Sequence, residues 1–317
     1  MEAGAIGACC AKIGEAEVLA DHGVTGLHIT SPIVSAPAIA RLMALNRRSE
    51  GLMCVVDHPE NVTALGAAER GGKPLSVIID IDPGIRRTGV GTPDAAVALL
   101  EAIRAQPSLS YAGVQCYCGA QQHIEAYEAR RAAMAGRAAF VRPVIAALTE
   151  AGGAPGVVTG GGTGGGTGTH RIDAALDLFT ELQVGSYVFM DAQYLDCDLT
   201  GDGEPAPFET ALMVETRVVS ANTPGLVTLD GGFKAFSTDD GPPRVLSCAP
   251  EGASYRFMGD EHGPLILPDG GSLPLGQMVT LGAPHCDPTV NLYDTYHVVE
   301  GDTLRALWPV AARGRSR

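Results

Sequence analysis

From its start to about residue 200 the chain repeats one device: a short run of β-branched and small apolar residues, a turn, then a segment with apolar residues at helical spacing. Parallel strands joined by crossover helices satisfy this alternation, because parallel neighbours need a connection of a dozen or more residues. The strand-like runs are AIGACC (5–10), GLHIT (26–30), LMCVVD (52–57), LSVIIDID (75–82), YAGVQCY (111–117), GVVTG (156–160) and LQVGSYVF (182–189). Between them lie IGEAEVLADHG, APAIARLMALNRR, ENVTALGAAERGG, TPDAAVALLEAIRAQ, a long segment from His123 to Gly153, and RIDAALDLFTE. Thr92 before Pro93 and Asp94 is a helix N-cap signal. A closed (β/α)8 barrel needs eight strands and the run holds seven, so either the sheet is open or a strand belongs before residue 1.

Beyond about residue 206 the texture changes to β-rich runs divided by Gly and Pro turns, as in a small antiparallel or mixed β domain. The boundary is expected in LTGDGEPAP (199–207), giving a barrel-type domain over 1–205 and a β domain over 206–317. No apolar run approaches the roughly 18 residues of a membrane span, and the first residues carry no secretory pattern, so a soluble cytoplasmic protein is expected with no membrane partner. A net charge of −14 repels a phosphate backbone, which argues against nucleic acid. The eight cysteines are scattered and suggest no disulfide framework.

The run TGGGTGGGTGTH (159–170) holds seven glycines and no lysine. It follows a strand and precedes a helix, where backbone amides and a helix N-terminus favour an anion. A nucleotide loop is unconvincing: the Gly-Lys-Ser/Thr of a P-loop is absent, and a Rossmann loop belongs near the first strand of its sheet. A flexible spacer is equally out of place between a strand and its crossover helix.

IDIDPGIRRTGV (79–90) gathers Asp80, Asp82, Arg86 and Arg87 at a strand end, where barrels put their chemistry, although a surface turn with an ion pair reads as well. QCYCGAQQHI (115–124) does the same with Tyr117, Gln121, Gln122 and His123; its Cys116 and Cys118 lack a second ligand pair at finger spacing and read as buried structural cysteines. In APHCDPTVNLYD (283–294), His285 and Asp287 would share one face of an extended strand and could grip a divalent ion, with Cys286 facing away. On spacing alone, a turn histidine paired with an aspartate explains them too. Glu261 and His262 in GDEHG are a lesser candidate.

Taken in order, CCAKIGEAEVLADHGV, DIDPGIRRTGV, GVQCYCGAQQHI, VTGGGTGGGTGTH, ELQVGSYVFMD, DEHG and PHCDPTVNLYD resemble the D-threonine aldolase and D-serine dehydratase group, pyridoxal 5'-phosphate enzymes of alanine-racemase-like fold. The resemblance spans nearly the whole chain. It implies a (β/α)8 barrel bearing the cofactor, here without its first strand, a C-terminal β domain bearing the metal, and a homodimer. It places the phosphate against Thr167, Gly168 and Thr169, with Gly185 and Ser186 completing the cup. It sets Gln183 towards the pyridine nitrogen, Arg87 near the ring hydroxyl and Tyr117 near the ring or substrate, and makes His285 and Asp287 the metal pair. The aldolases tend to carry His-x-Asp and the dehydratases His-x-Cys with zinc, so this chain leans to the aldolase, with manganese or magnesium.

The implied activity is a carbon–carbon lyase that cleaves a small D-β-hydroxy-α-amino acid to glycine and an aldehyde, the metal lowering the pKa of the β-hydroxyl. Dehydration of D-serine or 3-hydroxyaspartate is the nearest alternative, and a catalytically inactive truncated paralogue or binding protein the next. That last reading follows from a departure: the family's Schiff-base lysine ends the first barrel strand, and Lys12, Lys73 and Lys234 match that place in no case. No catalytic lysine is therefore assigned in this chain. The missing lysine and the missing strand are one expectation, that a first βα unit lies outside the sequence.

Overall fold

The computed structural model describes residues 4–68, 72–162, 167–206 and 208–317, and of 167–169 the backbone alone. All seven expected strands form, as β1 (Ala8–Cys10), β2 (Leu27–Ile29), β3 (Met53–Val56), β4 (Leu75–Asp80), β5 (Leu109–Tyr117), β6 (Val157–Gly161) and β7 (Glu181–Leu182). They make one parallel sheet in chain order. The crossovers are α1 (Ile13–Asp21), α2 (Ala36–Arg48), α3 (Pro59–Ala67), α4 (Pro93–Arg104), α5 (Tyr127–Glu150) and α6 (Thr167–Ala175). Local chemistry sets their starts: the Ser35 and Thr92 hydroxyls accept the Ala38 and Ala95 amides, and Pro37 and Pro93, in the first turns, have no amide to lose.

The two faces of the sheet differ in kind. Leu27, Ile29, Cys54, Val56, Val77 and Ile79 point into a core shared with Leu42 and Leu45 of α2, Leu99, Leu100 and Ile103 of α4, and Met134 and Val141 of α5. Each such side chain, fully buried, contributes about 1.5–3 kcal/mol. On the other face the register aligns Cys9, His28, Met53 and Ser76 across β1–β4, and Asp80, Gln115, Thr159 and Glu181 across β4–β7. A sheet that buries one polar face inside itself must curl. Its two edges approach: burial first, then the Glu181 carboxylate on β7, pushes the Cys9 thiol of β1 up to about 11. His28 lies inside with neither ring nitrogen bonded, and burial lowers its pKa to about 4, so it is neutral.

Three elements differ from expectation. The strand expected over 182–189 stops at Leu182, because Gly185 turns the chain (φ −151, ψ −70) into a 3-10 turn over Ser186–Val188. Helix α6 begins four residues before the expected Arg171, inside the glycine-rich run, and ends at Ala175. Helix α5 keeps Pro143 within its 24 residues and, with a mean hydropathy of 1.2 over its most apolar stretch, is long and apolar enough to cross a membrane. It packs instead against α4 and α6 through Met134, Ala138, Val141, Val144 and Leu148.

The C-terminal region forms an antiparallel sheet ordered β10 (Arg244–Ser247), β13 (Met278–Gly282), β8 (Met213–Thr223), β9 (Leu226–Leu229), β12 (Gly263–Ile266) and β11 (Ser254–Tyr255). Val218, Val227, Leu229, Phe236, Tyr255, Leu265, Val279 and Leu281 fill its core. Beyond β13 come a one-turn helix α7 (Cys286–Val290) and a hairpin of β14 (Thr295–Glu300) and β15 (Thr303–Pro309). All eight cysteines are free thiols, and Cys116 and Cys118 are fully buried, in keeping with a structural role.

Candidate active site

The strand ends of β4–β7 carry a continuous polar wall. Gln115 donates to Asp80 at 3.0 Å, Gln183 donates to both Gln115 (3.1 Å) and Thr159 (3.1 Å), and the Thr159 hydroxyl donates to Glu181 at 2.8 Å. Burial pushes the Asp80 carboxyl up, partly offset by hydrogen bonds from Thr88 and Gln115. Among the described residues Asp82 makes no ion pair; its carboxylate accepts the Gly84 and Arg86 amides at 2.8 and 3.0 Å and so shapes the loop. That loop delivers Arg87 to a point 5.7 Å from the centre of the Tyr117 ring. Asp80, Arg87, Gln115 and Tyr117 line one cleft. Gln183, Arg87 and Tyr117 thus sit on a common wall.

The glycine run is shaped by packing at its start. A Cβ on Gly160 would stand 2.1 Å from the Cys116 carbonyl oxygen, and Gly161 adopts a left-handed backbone (φ 73). Residues 163–166 lie outside the described residues; Thr167, Gly168 and Thr169 are placed only as the first turn of α6. Below that turn Asp173 is fully buried. Neither of its oxygens makes a well-formed hydrogen bond, although the nearby Gly162 amide favours the anion; burial outweighs it and raises the carboxyl to about 7. Gly185 and Ser186 begin the 3-10 turn after β7.

His285 and Asp287 do not share a strand. His285 is the extended residue preceding α7 (φ −132, ψ 121), and Asp287 lies in the first turn of that helix. They nonetheless interact: burial raises the Asp287 carboxyl, and the neighbouring imidazole lowers it in part. Two residues unassigned from sequence join them. The His285 Nδ1 donates to Asp239 at 2.6 Å and lies 3.6 Å from Asp240. Asp239, Asp240 and His285 bring ligand atoms close enough together to hold one cation. In sequence, STDDGPP looks like an ordinary acidic turn, and nothing local connects it to a histidine 45 or more residues away. Burial works against the imidazolium, but the Asp239 hydrogen bond and the charges of Asp191, Asp239 and Asp287 outweigh it, and the His285 pKa rises.

The charges of this loop reach the wall. Burial raises the Tyr117 hydroxyl, Arg87 opposes the rise, and the Asp287 and Asp191 carboxylates add to it. Tyr117 is therefore within electrostatic reach of both halves. The remaining candidates fall elsewhere. Glu261 pairs with Lys234 on the surface. His123 bonds Gln193 at 2.8 Å and stacks on Tyr194. Among the lysines, Lys12 precedes α1 and Lys73 donates to the Ser49 carbonyl.

Comparisons with known proteins agree with this layout. The family described as "Alanine racemase, N-terminal domain" matches residues 1–193, and "Putative serine dehydratase domain" matches residues 211–299. The chain is 36% identical to 3-hydroxy-D-aspartate aldolase from Paracoccus denitrificans (strain Pd 1222), over 98% of this chain and 80% of that one. It is similar to the crystal structure of D-threonine aldolase from Filomicrobium marinum, with a TM-score of 0.91, 34% identity, and coverage of 99% of this chain and 84% of the other. D-threo-3-hydroxyaspartate dehydratase from Delftia sp. HT23 superposes with a TM-score of 0.83 at 25% identity, covering 97% of this chain and 84% of the other.

Proposed function

The chain belongs to the D-threonine aldolase and D-serine dehydratase family, built on the alanine racemase N-terminal domain, and from that membership we propose that it is a pyridoxal-phosphate- and divalent-cation-dependent lyase that cleaves D-β-hydroxy-α-amino acids to glycine and an aldehyde. One observation carries the reading: the half-buried imidazole of His285 and the exposed carboxylate of Asp287 stand on one turn, and the Asp287 charge reaches Tyr117, which sits beside Arg87.

The residues present fit both groups. Helix α6, nine residues long, follows the end of β6 at Gly161 and starts at Thr167, and a helix N-terminus after a strand end suits a phosphate. Thr167, Gly168, Thr169, Gly185 and Ser186 are assigned to that end, and Gln183, Arg87 and Tyr117 to the ring. The loop supplies one imidazole and hard carboxylate oxygens, which suit manganese or magnesium better than a thiolate site would. When bound, pyridoxal phosphate supplies an electron sink for the bond broken at Cα, and the cation lowers the pKa of the substrate hydroxyl.

The chain's own groups do the orienting. The carboxylate of Asp239 holds Nδ1 of His285, which leaves Nε2 as the ligand nitrogen, the arrangement in which a carboxylate behind a histidine strengthens it. Asp287 then offers the second ligand from the first turn of α7. Arg87 places a fixed positive charge beside Tyr117, where an anionic ring oxygen or substrate carboxylate is stabilised. Gln115 and Thr159 take both amide protons of Gln183, so its carbonyl oxygen is the group it can offer a ligand, as an acceptor.

The test is release of glycine, with acetaldehyde from D-threonine or glyoxylate from D-3-hydroxyaspartate, in the presence of pyridoxal phosphate and Mn2+ or Mg2+. Cation-dependent release that disappears in His285→Ala supports the lyase; pyruvate from D-serine, or oxaloacetate from 3-hydroxyaspartate, supports the dehydratase. The carboxylate at position 287 favours the first. Saturable Mn2+ binding with no turnover of any of these substrates assigns the chain to the inactive branch. None of the three lysines stands on the wall, so the catalytic lysine is assigned to none of them. The protein is further proposed to be a soluble cytoplasmic homodimer, with a barrel domain over 1–205 and a β domain over 206–317.

A further inference from the structure

The run ELQVGSYVFMD ends on Asp191, an acid to which the reading above gives no part. It is 2% exposed, which is unusual for an aspartate and costly unless the carboxylate is compensated. One of its oxygens accepts the amide of Cys286, the first residue of α7 and the residue between His285 and Asp287. The next residue, Ala192, donates its own amide to the Ala283 carbonyl at 3.3 Å. Two successive residues of the barrel-side loop therefore clamp the stretch 283–286 from both ends. Asp191 also lies near enough to act electrostatically on His285, Asp287 and Tyr117.

A neutral acceptor could hold the Cys286 amide at lower desolvation cost, so the hydrogen bond alone does not explain a buried acid here. Holding the buried carboxylate of Asp191 within electrostatic reach of Asp287 is unfavourable unless a cation sits between or next to them. We propose that Asp191 is the positioning residue of the cation site: it fixes the turn that sets His285 against Asp287, and its charge raises the affinity of that pair for a divalent cation. The proposal rests on the reading of His285 and Asp287 as the metal pair. It assigns Asp191 no contact with substrate.

The experiment is titration of the whole chain with Mn2+, followed by calorimetry and by the electron paramagnetic resonance of bound manganese, for the unaltered protein, Asp191→Asn, Cys286→Pro and His285→Ala. Asp191→Asn keeps one acceptor oxygen for the Cys286 amide, removes the charge and turns the second oxygen into a donor beside the Cys286 thiol. The expected result is a melting temperature without metal at or above that of the unaltered chain, with Mn2+ affinity reduced roughly 10–100-fold, the range found when groups behind metal ligands are removed. Cys286→Pro deletes the donor amide at a first helical position that favours proline, and is expected to weaken Mn2+ binding and alter the resonance line shape. Affinity within twofold of the unaltered chain in Asp191→Asn overturns the charge role; unchanged affinity and line shape in Cys286→Pro overturn the clamp, and also decide the matter if Asp191→Asn does not fold. A His285→Ala protein that binds Mn2+ as tightly as the unaltered chain instead removes the metal-pair reading, a separate outcome.

Discussion

The two sides of the candidate site handle polar groups in opposite ways. On the barrel side, Glu181, Thr159, Gln183, Gln115 and Asp80 form one hydrogen-bonded chain in which neutral amides and a hydroxyl separate the two carboxylates. On the loop side, Asp239, Asp240 and Asp287, with Asp191 reaching in from the barrel side, surround a single imidazole. The wall is satisfied by its own members; the loop is left with negative charge that one histidine cannot balance. A satisfied wall can be preformed and rigid, whereas an overcharged loop gains most from the arrival of a cation.

The barrel side also holds buried polar groups outside this chain of bonds, His28 and Asp173 among them, and Asp173 yields the largest effect. Asp173 is buried without a well-formed partner, and its carboxyl is raised to about 7 from an unfolded value near 3.9. Below pH 4 it is protonated in both states and costs nothing as a charge. As pH rises from 4 through 7 the unfolded chain releases its proton first, so folded stability falls, by about 4 kcal/mol once the pH exceeds 7. Asp173→Asn is accordingly expected to stabilise the protein by a large part of that amount at pH 8 and hardly at pH 4, as measured by urea unfolding. A gain independent of pH would show that Asp173 already has a partner, making it an ordinary member of the wall.

The second effect tests the wall itself. Gln115 is 3% exposed and joins Gln183 to Asp80, so Gln115→Leu leaves one amide proton and one carboxylate oxygen without their bonds and removes a longer contact, 3.4 Å, to the Thr30 carbonyl. At about 1–3 kcal/mol for each orphaned group, a loss near 3 kcal/mol is expected in urea unfolding, with Mn2+ affinity unchanged. A change in metal affinity would mean the two sides are not independent.

The contrast between the sides also explains what could be read from sequence. Seven strands and six crossover helices were legible because buried parallel strands are near-continuous apolar runs, and because caps such as Thr92 with Pro93 are local. Strand β7 was overextended because Val184, Tyr187, Val188 and Phe189 keep a strand-like composition, while Gly185 and the docking of Met190–Ala192 on the far loop decide the backbone. His285 and Asp287 were visible through their spacing, but the geometry behind that spacing was not, since the chain there is a helix turn rather than a strand. Asp239 and Asp240 had no local signal at all. Their partner is supplied by the tertiary fold, and a pair of aspartates before Gly241 has the composition of any surface turn.

The third effect is the cation's own. A ligand that binds only the folded state stabilises it by about 2.7 kcal/mol at a free concentration 100 times its dissociation constant. Mn2+ is expected to raise the melting temperature of the unaltered chain and of Gln115→Leu alike, EDTA to reverse the rise, and His285→Ala and Asp287→Asn to abolish it. A cation-induced shift that survives both substitutions would move the site to Asp239 and Asp240 and remove the central asymmetry.

The smallest effect separates charge from burial. Lys234 and Glu261 form an opposite-charge contact on the surface of the β region, and each raises or lowers the other's pKa mainly through their shared hydrogen bond. Exposed pairs of this kind are screened by water and salt, and what they gain is offset by fixing two long side chains. Lys234→Ala is therefore expected to leave the melting temperature, its pH dependence and the Mn2+ response unchanged within error, although it shifts net charge from −14 to −15. If this substitution strengthens Mn2+ binding as much as Asp191→Asn weakens it, net charge at a distance governs the site. If it does nothing, the acids around His285 act because they are close to it.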